Sequence, residues 1–218
     1  MESNNDNQVK SRQRVADHGE VFTNEREVNA MLDLVKHETE RIDSRFLEPA
    51  CGNGNFLVAV LRRKLVEVER RYSSSQLEFE RYSIVAVSSL YGIDLMPDNV
   101  TECINRLLLE FNKTYSRLFK KKSKEVCSET IKYILKKNIL CGNALTLKNQ
   151  QNEPLVFSKW ELVIRSNIKR HDYLFEELIQ KEEGQLFQKK SDIGTSSFIP
   201  KSLKEFPLTH MFSLPEYD

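Results

Sequence analysis

Glycine is scarce in this chain, and its placement constrains the fold more than any other feature. Only 7 of the 218 residues are glycine, about half the usual share. Each is therefore expected where the backbone needs an unusual dihedral angle or a close approach. Gly19, Gly52, Gly54, Gly92 and Gly142 fall inside or beside short segments that read as strand ends. Gly52 and Gly54 stand in Glu48-Pro49-Ala50-Cys51-Gly52-Asn53-Gly54-Asn55-Phe56-Leu57. That turn follows a short strand candidate, Arg45 to Glu48. It precedes a segment with Leu57, Val60, Leu61, Leu65 and Val68 at helical spacing. A strand, a Gly-x-Gly turn and a helix present backbone N–H groups and a helix N-terminus to a ligand. A tight strand-to-helix turn with no ligand fits the same pattern.

The rest of the chain repeats the alternation. Residues 1 to about 14 are polar and expected to be disordered. A helix is expected from Thr23, carrying Val28, Met31, Leu32 and Val35, and another over Leu77 to Ser88. Leu90 to Leu95 reads as a second strand, and Pro97 suits the first turn of the helix that follows. Asn138 to Cys141 and Trp160 to Ile164 read as further strands. Short apolar strands alternating with amphipathic helices predict an α/β fold with a mostly parallel, doubly wound sheet. The reading is one domain over 15–172, followed by a helical and irregular extension over 173–218.

Charge and cysteine usage exclude several function classes. Lys plus Arg number 33 against 32 Asp plus Glu, a net charge of +1, so the whole chain cannot grip nucleic acid electrostatically. A local patch remains open, because the segment 113–137 holds nine basic residues and two glutamates. No apolar run approaches the roughly 18 residues of a membrane helix, and the N-terminus has no signal-peptide core. The four cysteines lack CxxC spacing, so neither a disulfide framework nor a metal site is expected, and reduced thiols in a cytoplasm are.

Two details narrow the ligand. Leu57 stands where a dinucleotide fingerprint has its third glycine. Asp94, at the end of the second strand, lies 42 positions after Gly52, whereas a nicotinamide site wants its acidic residue about 20 on. A carboxylate at a strand end still suits ribose hydroxyls, since it accepts both hydrogen bonds. A nucleoside-bearing ligand other than a dinucleotide survives.

The segment Glu48 to Leu57 resembles the DPACGSGNFL motif of S-adenosylmethionine (SAM)-dependent DNA adenine-N6 methyltransferases of bacterial restriction-modification systems. Three further segments follow that family's order. Gly19-Glu20-Val21-Phe22-Thr23-Asn24 resembles its N-terminal motif, Tyr91-Gly92-Ile93-Asp94-Leu95 its second-strand motif, and Asn138 to Leu145 the motif that meets the cofactor adenine. The resemblance covers about residues 12 to 167 and implies a Rossmann-like class I methyltransferase fold with SAM as cofactor. It implies that Ala50, Gly52 and Gly54 approach the methionine part, with Glu48 near its amino group and Pro49, Asn55 and Phe56 in the same loop. By the same resemblance Asp94 holds the ribose, and Leu95 or Met96 lies against the adenine. Asn143, beside Ala144, bonds the adenine amino group, and Phe22 and Thr23 line the pocket. Ordinary core packing for Phe22 and a turn cap for Asn143 are the alternatives.

The family's Asn-Pro-Pro-Tyr motif is altered. After Trp160 to Ile164 the chain reads Arg165-Ser166-Asn167-Ile168-Lys169-Arg170, and no Pro-Pro dipeptide occurs anywhere. Asn167 matches the motif's first position, and Tyr173 is the candidate for its stacking ring; both are carried forward as catalytic candidates. Arg165, Lys169, Arg170 and His171 form a basic cluster fit for phosphate contact or for a solvated loop. DNA is the implied substrate, with sequence specificity left to a separate subunit or a second copy. Three functions remain open: a DNA adenine methyltransferase or its cofactor-binding subunit, a catalytically degenerate SAM-binding module, and a methyltransferase for a non-DNA substrate.

Overall fold

A short polar cap starts the first helix of the continuous stretch 23–179. Asn24 accepts a hydrogen bond from the Arg26 N–H at 2.9 Å and begins helix α1 (Glu25–Leu34), one residue after the Thr23 start expected above. The structure, a computed structural model, describes residues 11, 14–16, 21, 23–179 and 201–216. Most of the segment expected to be disordered, together with Phe22, lies outside the described residues.

A short helix α2 (Lys36–Thr39) leads to β1 (Phe46–Glu48). Entry into β1 is fixed by Lys64, which is fully buried. Its ammonium donates to the carbonyls of Arg41, Ile42 and Ser44 and to the Ser89 hydroxyl. Burial pulls its pKa down to about 7.

After β1 come α3 (Asn55–Tyr72), α4 (Gln76–Ser88), β2 (Leu90–Asp94), α5 (Pro97–Phe119), α6 (Glu125–Asn138) and β3 (Ile139–Cys141). The three strands form a parallel sheet in the order β1-β2-β3, with Phe46 opposite Leu90 and Gly92 opposite Ile139. Each crossover is a hairpin of two helices. α5 has 23 residues and is about 34 Å long, whereas β2 has five and spans about 16 Å. The helices therefore overshoot the amino ends of the strands. There Gln76 Nε2 ties the two hairpins together, donating to Tyr115 Oη and to the Lys122 carbonyl.

Strand alternation sends side chains to two cores. Leu90 and Ile139 join the helices in the larger core, whereas Tyr91 and Ile93 pack with Leu155, Phe157 and Phe175 in the smaller one. All four long helices contribute to the first core, so they cover one face of the sheet.

The other face is covered by a different element. The run Trp160 to Ile164, expected as another parallel strand, belongs instead to β4 (Val156–Leu162). β4 pairs antiparallel with β5 (Asn167–Leu174), from Val156 opposite Leu174 to Leu162 opposite Ile168. The four residues between them are too few for a parallel crossover, which needs a dozen or more. The parallel part of the fold is thus three strands, with a separate antiparallel sheet beside it. β6 (Lys204–Glu205) and β7 (Thr209–His210) both pair with β5. A 3-10 turn over Met211–Glu216 then packs on α6, where the Thr130 hydroxyl donates to the Met211 carbonyl. Among the described residues no helix is long and apolar enough to cross a membrane.

Candidate functional site

The glycine turn is built by backbone pairing that outlasts the strand. Beyond Glu48, the Cys51 N–H still donates to the Ile93 carbonyl at 2.9 Å, and the Gly54 N–H closes back on the Cys51 carbonyl at 2.8 Å. Gly52 and Gly54 have φ of 51° and 88°, the left-handed region where a side chain is strained. A Cβ on Gly54 would also lie 2.6 Å from Cys103 Sγ of α5. The turn is therefore pressed against α5 as closely as a bare backbone allows. Gly54 caps α3 without any side-chain bond, and the first turn of α3 holds no acid. Its end is open to an anionic ligand group.

Asp94 locks the turn from β2. Its Oδ2 accepts the Gly52 N–H at 2.9 Å, while Oδ1 accepts the Met96 N–H at 2.9 Å and Asn99 Nδ2 at 3.1 Å. A carboxylate has about four lone-pair positions, so these bonds leave one, on Oδ2.

These elements enclose a cleft of about 440 Å³ at the carboxyl ends of the parallel strands. Of the residues singled out from the sequence, Thr23, Glu48, Pro49, Ala50, Gly52, Asn55, Phe56, Asp94, Leu95, Asn143 and Ala144 line it together. Gly54 shapes it from behind as the α3 cap. Phe22 lies outside the described residues. Asn99, Met31 and Leu145 also line it and were not anticipated. Asn99 had a usable signal, standing one turn into a proline-initiated helix five residues after the key aspartate.

Chemistry varies around the wall. Burial raises the Glu48 carboxyl above its ordinary pKa, against a hydrogen bond from the Ala50 backbone that lowers it. Among the described residues no Lys, Arg or His lies within ion-pair distance of Glu48, so a cationic ligand group would meet no competitor there. The Asn143 oxygen accepts from the Leu145 and Thr146 N–H groups at 2.8 and 3.2 Å. It caps a turn, the alternative left open above, and its NH₂ remains to donate. Asn55 is likewise committed: Nδ2 donates to the Thr23 carbonyl at 2.9 Å, and Oδ1 accepts from Arg106 at 2.7 Å. The Cys51 thiol is pushed well up by its hydrogen bond with Cys103 and by burial, so it lines the cleft as a neutral thiol and not as a nucleophile. Among the described residues no cluster of three or more His, Cys, Asp or Glu is arranged to hold a metal.

Neither catalytic candidate lines this cleft. At one end of the hairpin Leu155 packs against Gly142, where a Cβ would touch it at 2.7 Å. Farther along, Trp160 Nε1 donates to Asn138 Oδ1 at 3.0 Å, at the amino start of β3. β4 therefore runs opposite to the parallel strands. Asn167, just past the hairpin tip and level with Val163, stands about 26 Å farther along than Leu155 at ~3.3 Å per residue. Tyr173 pairs with Phe157 and stacks on His171. The basic cluster is also largely neutralised. Arg170 is buried and grips Asp172 through two hydrogen bonds of 2.8 Å, and Lys169 and His171 both face Glu205.

Residues 20–174 match the family model described as the MmeI DNA-methyltransferase domain. The chain belongs to this family. No curated protein and no solved structure matches it. The methyltransferase match runs from the approach to α1 through the last residue of β5, so it takes in the glycine turn, Asp94 and the β4–β5 hairpin. Residues 201–216, which add β6, β7 and the closing 3-10 turn, lie beyond the matched DNA-methyltransferase span.

Proposed function

We propose that this DNA-methyltransferase domain binds SAM in the cleft and methylates adenine N6 in DNA, within a restriction-modification or related system. The observation that carries the reading is the left-handed Gly52–Gly54 turn held by Asp94 at the carboxyl ends of parallel strands. A nucleoside ligand is expected to bind at that place in an open α/β sheet. On this reading the three parallel strands are the Rossmann-like core of a class I methyltransferase. The open start of α3 takes the ligand's carboxylate, and Glu48 takes its ammonium. The remaining lone pair of Asp94 takes one ribose hydroxyl, and Leu95 and Met96 cover the adenine. Asn143 then serves the base through its NH₂, as a donor to a ring nitrogen. When bound, SAM supplies an electrophilic methyl group.

Calorimetric titration with SAM tests this. Micromolar binding is expected, weakened tenfold or more (about 1.4 kcal/mol) by Glu48→Gln. Glu48→Gln is a cleaner variant than Asp94→Ala, which would also strip the acceptor from the Gly52 and Met96 N–H groups. The Glu48 carboxyl must be ionised to hold an ammonium and its pKa is raised, so affinity should fall as pH drops through that raised value. In Glu48→Gln this pH dependence should flatten. No detectable binding by the unaltered protein would remove the reading.

The separation of Asn167 from the cleft, whose lining also lacks Tyr173, favours a second reading. Here the chain is a SAM-binding subunit whose transfer chemistry is completed by another polypeptide. Methyl transfer to adenine-containing duplex by the purified chain alone supports the first reading. SAM binding without transfer supports the second.

A further inference from the structure

α5 reaches the glycine turn with more than Cys103. One turn later Arg106 extends Nη1 to the Asn53 carbonyl at 2.8 Å and to Asn55 Oδ1 at 2.7 Å. Asn55 passes the connection on, its Nδ2 donating to the Thr23 carbonyl at 2.9 Å. Thr23 immediately precedes the Asn24 cap of α1 and lines the cleft. Three chain segments distant in sequence are thus joined by one guanidinium and one amide: mid-α5, the glycine turn and the start of α1. Glu102, on the same helix, meets Asn53 Nδ2 at 3.4 Å.

The arrangement suits positioning better than general stability. Arg106 is half-buried, and its two acceptors are neutral oxygens. Hydrogen bonds from a charged donor to such groups are stronger than neutral ones and fix direction. Both bonds leave one nitrogen, Nη1, held by a planar guanidinium; a lysine ammonium on its flexible stem would hold the same two acceptors less firmly. The left-handed Gly54 sits between the two anchored residues, and glycine there has little preference of its own between backbone wells. The pair of anchors on either side adds to the Gly54 N–H bond with the Cys51 carbonyl in holding the Asn53–Asn55 turn in one of them.

We propose that Arg106 is a positioning residue of the cofactor cleft. Its guanidinium holds the Asn53–Asn55 turn and, through Asn55, keeps the Thr23 wall at its spacing from the Asp94 wall. The effect on cofactor affinity rests on the SAM reading above; the effect on the turn itself does not.

The test uses the full chain with Arg106→Met, Arg106→Lys and, as a control on the same helix, Arg117→Met. Arg117 pairs with Glu69 at the far end of α5 and touches no part of the cleft. Two quantities are measured: SAM affinity, and amide hydrogen exchange across residues 51–57 and 23–26 without ligand. Arg106→Met should weaken SAM binding at least tenfold and speed exchange in those two segments tenfold or more, with α6 unchanged. Arg106→Lys should recover part of both, and Arg117→Met should alter neither. Combining Arg106→Met with Asn55→Ala should weaken binding by clearly less than the sum of the two single effects, because the two share one contact. Unchanged exchange in Arg106→Met overturns the proposal, as does loosening spread equally over α6. If the unaltered protein binds no SAM but the turn loosens as described, the positioning role stands and the cofactor reading falls.

Discussion

Gly54 meets two demands that no other residue type meets together. Its φ is 88°, and a Cβ would fall 2.6 Å from Cys103 Sγ and 3.3 Å from the Cys103 Cα. The thiol can rotate aside, but the backbone of α5 cannot. Gly54→Ala should therefore destabilise the protein by about 2–5 kcal/mol, combining left-handed strain of ~1–2 with overpacking of ~1–3. Urea unfolding would measure it. Adding Cys103→Ala should return the overpacking share and leave the strain. Agreement between the single and double variants would mean that the crowding is negligible. At this scale much of the cleft was legible in the sequence, because backbone demands select glycine and a strand-end carboxylate selects Asp94. What was not legible is which atom of an amide is already in use. Asn143 and Asn55 line the cleft as expected, yet the Asn143 oxygen and both polar atoms of Asn55 are bonded within the protein. Only the surrounding turns determine that.

Between elements, the joint at Asn138 decides how the two sheets meet. This side chain is fully buried. Its Nδ2 donates to the carbonyls of Ser88 and Leu90, each at 3.1 Å, and its Oδ1 accepts from Trp160 Nε1 at 3.0 Å. It thus links the end of α4, the start of β2 and the hairpin strand β4. Asn138→Leu keeps the volume but leaves two carbonyls and an indole N–H without partners. The expected cost is at least about 3 kcal/mol, since each of the three groups left unsatisfied costs about 1–3. Trp160 is the only tryptophan, so its fluorescence reports the hairpin directly. Its denaturation midpoint should fall, and its native emission should change as the indole loses its acceptor. Native emission identical to the unaltered protein would mean that the joint does not hold the hairpin. Helices α1, α3, α4 and α5 and the three parallel strands followed from apolar spacing, whereas α2, α6 and the direction of β4 did not. The reason lies in β5, whose inward positions Ile168, Arg170 and Asp172 include a buried ion pair. Hydropathy reads Arg170 and Asp172 as exposed, so the alternation that marks an antiparallel hairpin was hidden by the pair that stabilises it.

Across the whole molecule, the cleft and the main basic feature occupy opposite poles. α5 begins beside Asp94 and ends about 34 Å away, where Lys120, Lys121 and Lys122 form an exposed turn. Among the described residues none of the three has a carboxylate within ion-pair distance. The turn is nevertheless built firmly. Lys120 adopts φ 50°, the Lys122 carbonyl accepts from Gln76, and the Lys124 N–H donates to Tyr115 Oη at 3.1 Å. Tyr115 in turn bonds the fully buried Glu80. A net charge of +1 gives the molecule no general attraction for DNA, so any salt-sensitive retention must come from local patches such as this one. Replacing all three lysines by glutamine should lower the slope of log affinity for duplex DNA against log salt by up to about 2.7, at ~0.9 per phosphate contact. SAM affinity should not move, because the cleft lies several Debye lengths away at ~10 Å each in 0.1 M salt. A slope that does not change would make the turn a solvated surface and leave contact with DNA to the cleft's own pole. A change in SAM affinity with an unchanged slope would instead mean that the Glu80–Tyr115 network had transmitted the loss along α5.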